Sequence, residues 1–128
     1  MTLQAAKRIL IVEDEILVAL HLEDVLVELG HRVVGPCSRI QIAIEMARTE
    51  DIDFAVLDIN VAGAPSFPVV DILRQRRIPF VFASGYGNEG LTDGYRDETV
   101  LHKPFESREL RRSIATAFPA CPTVDLTP

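Results

Sequence analysis

The stretch Asp53-Phe54-Ala55-Val56-Leu57-Asp58-Ile59-Asn60 decides how this chain of 128 residues folds. Its short apolar run is bounded by polar residues and is followed by a loop with Gly63 and Pro65, which is typical of a strand buried on both faces of a sheet. Asp58 would then stand at the carboxyl end of that strand, where open α/β folds place their chemistry. Taken alone, Asp58 is explained equally well as a residue that starts a turn.

Strands and helices alternate along the rest of the chain. Short apolar runs predict strands at 9–12, 32–35, 53–58, 79–84 and 100–102. Helical spacing predicts helices at 16–30, 40–47, 69–77 and 107–118, with Gly30 ending the first and Ser38 capping the second. Between the last two strands, glycine costs a helix about 1 kcal/mol per residue relative to alanine. Because that segment contains Gly85, Gly87, Gly90 and Gly94, its helix is predicted to be short or absent.

The alternation predicts an α/β fold with a flavodoxin-like, doubly wound sheet of five parallel strands in the order 2-1-3-4-5. In that order the first, third, fourth and fifth strands are neighbours. Their carboxyl ends carry Glu13 and Asp14, Asp58, Ser84 and Lys103 respectively. The sequence therefore predicts that three carboxylates, a hydroxyl and an amine meet at one edge of the sheet.

These residue types together indicate phosphoryl transfer. Three carboxylates in one crevice repel each other unless a cation neutralises them, and oxygen ligands suit a hard divalent ion such as Mg²⁺. Phosphoryl transfer needs little beyond a nucleophile, the metal and donors for the phosphoryl oxygens. Asp58 can supply the nucleophile, Lys103 a positive charge and Ser84 a hydroxyl donor. Each residue has a structural explanation of its own, but their joint placement favours a functional site.

The same residues resemble the motifs of response-regulator receiver domains of bacterial two-component signalling, over roughly residues 7–118. The acidic pair lies in Val-Glu-Asp-Glu at 12–15, and Asp58 lies in Leu-Asp-Ile-Asn. Ser84 lies in Phe-Ala-Ser-Gly-Tyr and Lys103 in Lys-Pro-Phe. The Phe-Ala-Ser-Gly-Tyr stretch further resembles a Phe-Ala-Thr-Gly-Tyr subgroup whose members are often stand-alone proteins.

The resemblance implies a role for each matching residue. Asp58 would be the phosphoacceptor, and Asp14 and Asp58 would bind Mg²⁺ directly. Glu13 would act through bound water, and the backbone carbonyl of Asn60 would complete the protein ligands. Receivers also commonly hold the peptide bond between this lysine and proline in the cis form, so a cis Lys103–Pro104 bond is expected.

One position departs from the family pattern. Most receivers have Tyr or Phe three residues before the lysine, where the ring reports activation, but this chain has Val100. Ser84 is followed at once by Gly85 and Tyr86. Tyr86 is therefore the candidate to report phosphorylation, as a switch and output residue, although it could equally well only cover the edge of the sheet.

The resulting hypothesis is a stand-alone receiver that takes a phosphoryl group from a sensor histidine kinase or a histidine phosphotransfer protein and then changes its binding to an unknown downstream protein. The receiver domain is predicted at 1–119 and a disordered tail at 120–128. One alternative is a Mg²⁺-dependent phosphatase of the aspartyl-phosphate type, although such enzymes carry a second acid where this chain has Asn60. Another is a receiver-like scaffold that transfers nothing.

Composition limits the partners and the cellular location that the sequence favours. A net charge of −6 argues against a nucleic-acid partner, and no apolar run is long enough for a membrane span. With no signal-peptide pattern, the sequence favours a cytoplasmic protein with reduced thiols at Cys37 and Cys121. The histidines share no ligand spacing and are expected as surface or helix-face residues (His21, His31, His102). The arginines that end the third helix are expected to be a solvated helix end (Arg74, Arg76, Arg77). Three apolar residues off the main stripe of the first helix form either a partner surface or extra core (Ile16, Leu20, Val27).

Overall fold

Five parallel strands form the main sheet of the computed structural model, which describes residues 6–85 and 90–118. The strands of this sheet are β1 (Arg8–Val12), β2 (Arg32–Cys37), β3 (Phe54–Leu57), β6 (Phe80–Ser84) and β7 (Val100–His102). A small hairpin after β3 contributes β4 (Asn60–Val61) and β5 (Ala64–Pro65). The helices are α1 (Ile16–Glu28), α2 (Ile40–Thr49), α3 (Phe67–Gln75) and α4 (Ser107–Ala117).

The order of the strands in the main sheet is β2-β1-β3-β6-β7, and every neighbouring pair is parallel. Numbered among themselves, these five strands have the predicted order 2-1-3-4-5. The flavodoxin-like, doubly wound α/β prediction is therefore confirmed.

Helices cover both faces of the sheet, because the apolar side chains of the central strands alternate between the two faces. Leu10 and Leu57 point towards α2 and α3, whereas Ile9 and Val56 point towards α1 and α4. All four of these side chains are fully buried. The two apolar layers enclose the sheet, and the carboxyl ends of β1, β3, β6 and β7 lie side by side at one edge.

One local expectation was wrong, and one local feature was not predicted. The helix predicted to be capped by Ser38 begins at Ile40 with Arg39 at its N-cap position, and no side chain caps it. The loop after β3 contains a hairpin that the sequence did not predict. Its turn residues Ala62 and Gly63 have φ values of 51° and 84°, and a two-residue hairpin turn of type I′ requires positive φ at both positions.

The connection between β6 and β7 is not helical in its described residues, Gly85 and 90–99, which form turns and bends. This agrees with the predicted short or absent fourth helix. Tyr86, Cys121 and the predicted boundary between 119 and 120 lie outside the described residues. Among the helices of the described ranges, none combines the length and apolarity that crossing a membrane requires.

Candidate functional site

The acidic pair is positioned by the backbone of its neighbouring strands. The amide of Glu13 donates a hydrogen bond to the carbonyl of Cys37, 2.9 Å away, and the amide of Asp58 donates to the carbonyl of Val12 at 3.0 Å. Between Leu10 and Val12 the register with β2 shifts by one residue, because two residues of β2, Gly35 and Pro36, lie opposite the single residue Ile11. This bulge brings the carbonyl of Cys37 level with Glu13.

Gly35 is needed in that bulge for two reasons. Its φ is +95°, and a Cβ atom there would lie 2.9 Å from the backbone nitrogen of Cys37 and 3.1 Å from the carbonyl oxygen of Ile11. The following peptide bond, Gly35–Pro36, is cis. Any larger residue at 35 would strain the backbone that supports the acidic pair.

Three carboxylates meet at the carboxyl edge of the sheet. One oxygen from each of Glu13, Asp14 and Asp58 lies within 4.8 Å of the other two. The Nζ atom of Lys103 lies 2.5 Å from Oε1 of Glu13 and 3.1 Å from Oδ2 of Asp58. The Lys103–Pro104 bond that precedes α4 is cis, as expected. Lysine thus neutralises part of the acidic cluster.

Burial and pairing act in opposite directions on this ion pair. Glu13 is only 3% exposed, and burial raises its pKa despite the hydrogen bonds from Lys103 and from the amide of Glu15. For Lys103, burial acts to lower the pKa, but the hydrogen bonds to Glu13 and Asp58 raise it overall. Lys103 therefore stays positively charged at neutral pH, as a counter-ion must.

Hydrogen bonds from Ile59 and Ser66 hold Asp58 and the residue that follows it. The Oδ1 atom of Asp58 accepts a hydrogen bond from the amide of Ile59 at 2.7 Å. Its backbone carbonyl accepts one from the hydroxyl of Ser66 at 2.6 Å, and the amide of Ser66 donates to the carbonyl of Ile59 at 2.8 Å. Ser66 is fully buried at the start of α3. No role for Ser66 was predicted from the sequence, and only its position just before a helix could have indicated one.

Asp14 accepts a hydrogen bond from the turn of the hairpin. Its Oδ2 atom accepts a hydrogen bond from the amide of Ala62, 3.0 Å away. The hairpin turn thereby fixes the most exposed of the three carboxylates in place.

The donor set fits a hard divalent cation. All three clustered side chains offer carboxylate oxygens, which Mg²⁺ prefers, and the cluster contains no nitrogen or sulfur ligand. Asp14 is exposed and Asp58 partly so, which leaves room for the water molecules that Mg²⁺ usually keeps. Glu13, Asp14 and Asp58 are therefore the residues that could hold the ion.

Comparison with known proteins identifies the family. A family model described as the response regulator receiver domain matches residues 9–115. The chain belongs to this family. It is 29% identical over 115 residues to the transcriptional regulatory protein PdtaR of Mycobacterium tuberculosis. The match covers 87% of this chain and 56% of PdtaR.

Two solved structures are also similar to this receiver. The solution structure of SdrG from Sphingomonas melonis has 39% identity and a TM-score of 0.79, and the match covers 89% of this chain and 98% of SdrG. The crystal structure of the anti-anti-sigma factor PhyR from Bartonella quintana has 32% identity and a TM-score of 0.76, with 89% of this chain and 48% of PhyR covered. The receiver spans about half the length of the curated relatives that it matches.

The remaining predicted residues of the receiver lie around this cluster. Ser84 is buried at the end of β6, and its carbonyl accepts a hydrogen bond from the amide of Lys103 at 2.9 Å. Asn60 is exposed in β4, two residues after Asp58. Its role as a carbonyl ligand stays a prediction, as do the roles assigned to Ser84 and to Tyr86, which lies outside the described residues.

An open cleft of about 810 Å³ gives access to the receiver's acidic cluster. Asp14, Asp58 and Lys103 line its polar side, and Leu17 and Phe105 are among the residues that line its apolar side. Leu17 belongs to the exposed part of α1, where it is 81% exposed. The three apolar residues whose place was left open are exposed as well, by 73%, 49% and 58% (Ile16, Leu20, Val27).

Proposed function

We propose that this receiver accepts a phosphoryl group on Asp58 in a Mg²⁺-dependent reaction and changes its affinity for a partner protein when it does. The observation that carries the proposal is the contact of Lys103 with both Glu13 and Asp58 beside a third carboxylate, Asp14. Family membership supports a phosphodonor such as a sensor histidine kinase or a histidine phosphotransfer protein.

In the proposed reaction, a carboxylate oxygen of Asp58 attacks the phosphorus of a phosphohistidine. A phosphorus–oxygen bond forms as the phosphorus–nitrogen bond breaks, and the departing imidazole keeps the electron pair and takes up a proton. When bound, Mg²⁺ would neutralise the phosphoryl oxygens that approach the three carboxylates. Lys103 supplies the second positive charge, and Ser84 can donate its hydroxyl to a phosphoryl oxygen.

The exposed apolar face of α1 supports a docking role for the phosphodonor. Ile16, Leu20 and Val27 lie on one side of the helix, because residues four and eleven positions apart share a face. Leu17 borders the cleft that leads to Asp58. A helical partner placed on this face would bring its phosphohistidine to the mouth of the site.

The downstream partner is a separate question. PdtaR is named a transcriptional regulatory protein and PhyR an anti-anti-sigma factor, but both are longer than this chain, so neither name defines its output. We propose a protein partner in preference to nucleic acid, since the chain carries a net charge of −6. The stand-alone organisation, the cytoplasmic location and the Phe-Ala-Thr-Gly-Tyr subgroup stay predictions from the sequence.

Phosphorylation by a small donor tests the proposal directly. Incubation with acetyl phosphate and Mg²⁺ should add one phosphoryl group, measured by intact mass spectrometry, and the product should be cleaved by hydroxylamine, as acyl phosphates are. Asp58→Asn should abolish labelling. The matched control is Asp53→Asn, which makes the same change just before β3, at the opposite end of the strand from Asp58. Equal, acid-stable labelling of Asp58→Asn would contradict the proposal.

The same preparation separates the alternatives. Sustained turnover of an unrelated phosphate ester such as p-nitrophenyl phosphate would favour the phosphatase, whereas absence of any phosphoryl adduct would favour the inert scaffold. If Asp14 holds the metal, Asp14→Ala should weaken Mg²⁺ binding; unchanged metal affinity would remove Asp14 from the ligand set. A phosphotransfer profile against the histidine kinases of the host would then identify the donor.

A further inference from the structure

Residues 90–99, here called the strap, lie across α3 on their way to β7. The ring of Tyr95 stacks on that of Phe67, with 4.1 Å between the ring centroids and an interplanar angle of 9°. The hydroxyl of Tyr95 donates a hydrogen bond to Oδ1 of Asp71 at 2.8 Å. The guanidinium of Arg74 lies 4.7 Å from the centroid of the Tyr95 ring. Three residues of α3 therefore hold a single tyrosine.

Arg74 also holds the strap on both sides of Tyr95. It donates to the backbone carbonyl of Gly94 at 2.8 Å and contacts the carboxylate of Glu98 at 2.5 Å. These contacts between α3 and the residues 94–98 are here called the latch. Its polar contacts are partly exposed, so the stacked rings and the cation over the tyrosine contribute most of its strength.

The beginning of the strap lies against the residues that follow Asp58. A Cβ atom on Gly90 would lie 2.8 Å from Cγ2 of Ile59 and 3.4 Å from Nδ2 of Asn60. Ile59 is only 2% exposed, and its amide donates the 2.7 Å hydrogen bond to Oδ1 of Asp58. Ile59 therefore packs closely against the backbone of Gly90, so a shift of Ile59 towards Gly90 would displace the start of the strap.

A second route joins the latch to the same carboxylate. Phe67 directly follows Ser66, whose hydroxyl donates to the backbone carbonyl of Asp58. The ring of Phe67 also meets that of Phe82 edge-on, with 6.4 Å between the ring centroids. Phe82 lies in β6, two residues before Ser84. The aromatic residue on which Tyr95 stacks is thus in contact with the strand that carries Ser84 and is adjacent in sequence to a residue that holds Asp58.

We propose that the latch is closed while Asp58 is a free carboxylate and is released when Asp58 carries a phosphoryl group, which uncovers Phe67, Asp71 and Arg74 on α3. This inference rests on the proposed function. Phosphorylation converts the Asp58 carboxylate into an acyl phosphate whose negative charge lies on the phosphoryl group, so Asp58 becomes a weaker acceptor for the amide of Ile59. The loosened Ile59 shifts Gly90, and the strap leaves the position in which Tyr95 stacks.

Thermodynamic linkage makes the proposal measurable. If phosphorylation opens the latch, then weakening the latch must favour the phosphorylated state by the same factor. Beryllofluoride with Mg²⁺ serves as the phosphoryl mimic, and its apparent affinity is the measured quantity. An aromatic stack contributes enough that Tyr95→Ala should tighten binding about 2- to 12-fold. Tyr95→Phe keeps the ring and loses the hydroxyl, so it should fall between Tyr95→Ala and wild type.

A direct readout and a control accompany the affinity measurement. The chain has two tyrosines and no tryptophan, so ¹³C-labelled tyrosine gives a simple ring spectrum in which Tyr95→Phe assigns the Tyr95 signals. Saturation with the mimic should remove the ring-current shift that Phe67 causes. The matched control is Arg96→Ala, because Arg96 lies in the strap but pairs with Asp93 at 3.4 Å and is 68% exposed. Its affinity should equal that of wild type.

The possible outcomes distinguish a failure of the latch proposal from a failure of the proposed function. If wild type binds beryllofluoride but Tyr95→Ala binds it equally or more weakly, the latch is not coupled to Asp58 and this inference is wrong. Unchanged Tyr95 ring signals in the saturated complex would overturn it in the same way. If wild type binds no beryllofluoride, and Asp58 takes no phosphoryl group from acetyl phosphate, the proposed function fails and the trigger of the latch fails with it.

Discussion

Replacing Lys103 by methionine should destabilise the folded state, because it leaves Glu13 and Asp58 without their common counter-ion. Removing one partner of a buried ion pair costs about 3–5 kcal/mol. The side chains of Lys103 and Asp58 are 13% and 17% exposed, so water compensates part of the loss. We therefore expect the free energy of unfolding to fall by about 2–3 kcal/mol. At roughly 4 °C per kcal/mol for a chain of this size, that lowers Tm by about 8–12 °C.

The assay is urea unfolding followed by circular dichroism at neutral pH with a chelator present. Adding Glu13→Gln to Lys103→Met should restore part of the loss, because it removes the buried charge that lacks a partner. A coupling energy of about 0.5–3 kcal/mol is expected from the double-mutant cycle. Saturating Mg²⁺ should also reduce the difference in unfolding free energy between Lys103→Met and wild type, since the metal replaces the missing positive charge.

The control replaces the cation of an exposed ion pair by methionine. Arg108 lies 3.0 Å from Glu106 and is 71% exposed, so Arg108→Met should change stability by about 0.5 kcal/mol or less. If Lys103→Met is as stable as wild type in the absence of metal, or if the two changes are strictly additive, Lys103 does not neutralise the cluster and the reasoning is refuted.

Three further predictions concern the rest of the receiver. His31 is 5% exposed, and its Nδ1 accepts a hydrogen bond from the amide of Lys7. Burial and the charge of Lys7 lower the pKa of His31, so the free energy of unfolding should decrease as pH falls from about 6.5 towards that lowered pKa. His31→Asn should remove this pH dependence, measured by urea unfolding at several pH values. Gly35→Ala should cost about 1–3 kcal/mol in urea unfolding, because its Cβ would meet the backbone of Cys37; a neutral result would contradict the bulge geometry. Leu20→Ser, on the exposed apolar face of α1, should leave Tm and acetyl phosphate labelling unchanged but slow phosphotransfer from the donor kinase, and an unchanged transfer rate would contradict docking on that face.

The sheet and the acidic site could be predicted because both depend on short-range patterns. The apolar runs at 9–12 and 54–57 gave the buried strands, and parallel connectivity then placed Asp58 and Lys103 at one edge. The cis Lys103–Pro104 bond could be expected only from the family resemblance. The hairpin was missed because Ala62 gives no indication that it adopts a φ of 51°.

Contacts between distant residues could not be predicted. His31 was expected as a surface or helix-face residue, but it is buried, and its ring accepts a hydrogen bond from the amide of Lys7, 24 positions away. The arginines that end α3 are exposed, as expected, but their partners were not foreseen. Arg76 donates to the carbonyls of Ala47 and Glu50 at the end of α2, and Arg74 donates to the carbonyl of Gly94 in the strap. Nothing in the periodicity of one helix encodes such pairings.

The bulge in β2 has a consequence for anyone who wishes to transplant this site. β2 contributes no side chain to the carboxylate cluster, yet the carbonyl of Cys37 supports the amide of Glu13 only because Gly35 and Pro36 lengthen the strand by the required amount. Grafting the acids and the lysine onto another doubly wound sheet would copy the functional groups without the backbone hydrogen bond that positions Glu13. The minimal portable unit therefore includes the outer strand, residues 32–37, although an inventory of side chains would omit it.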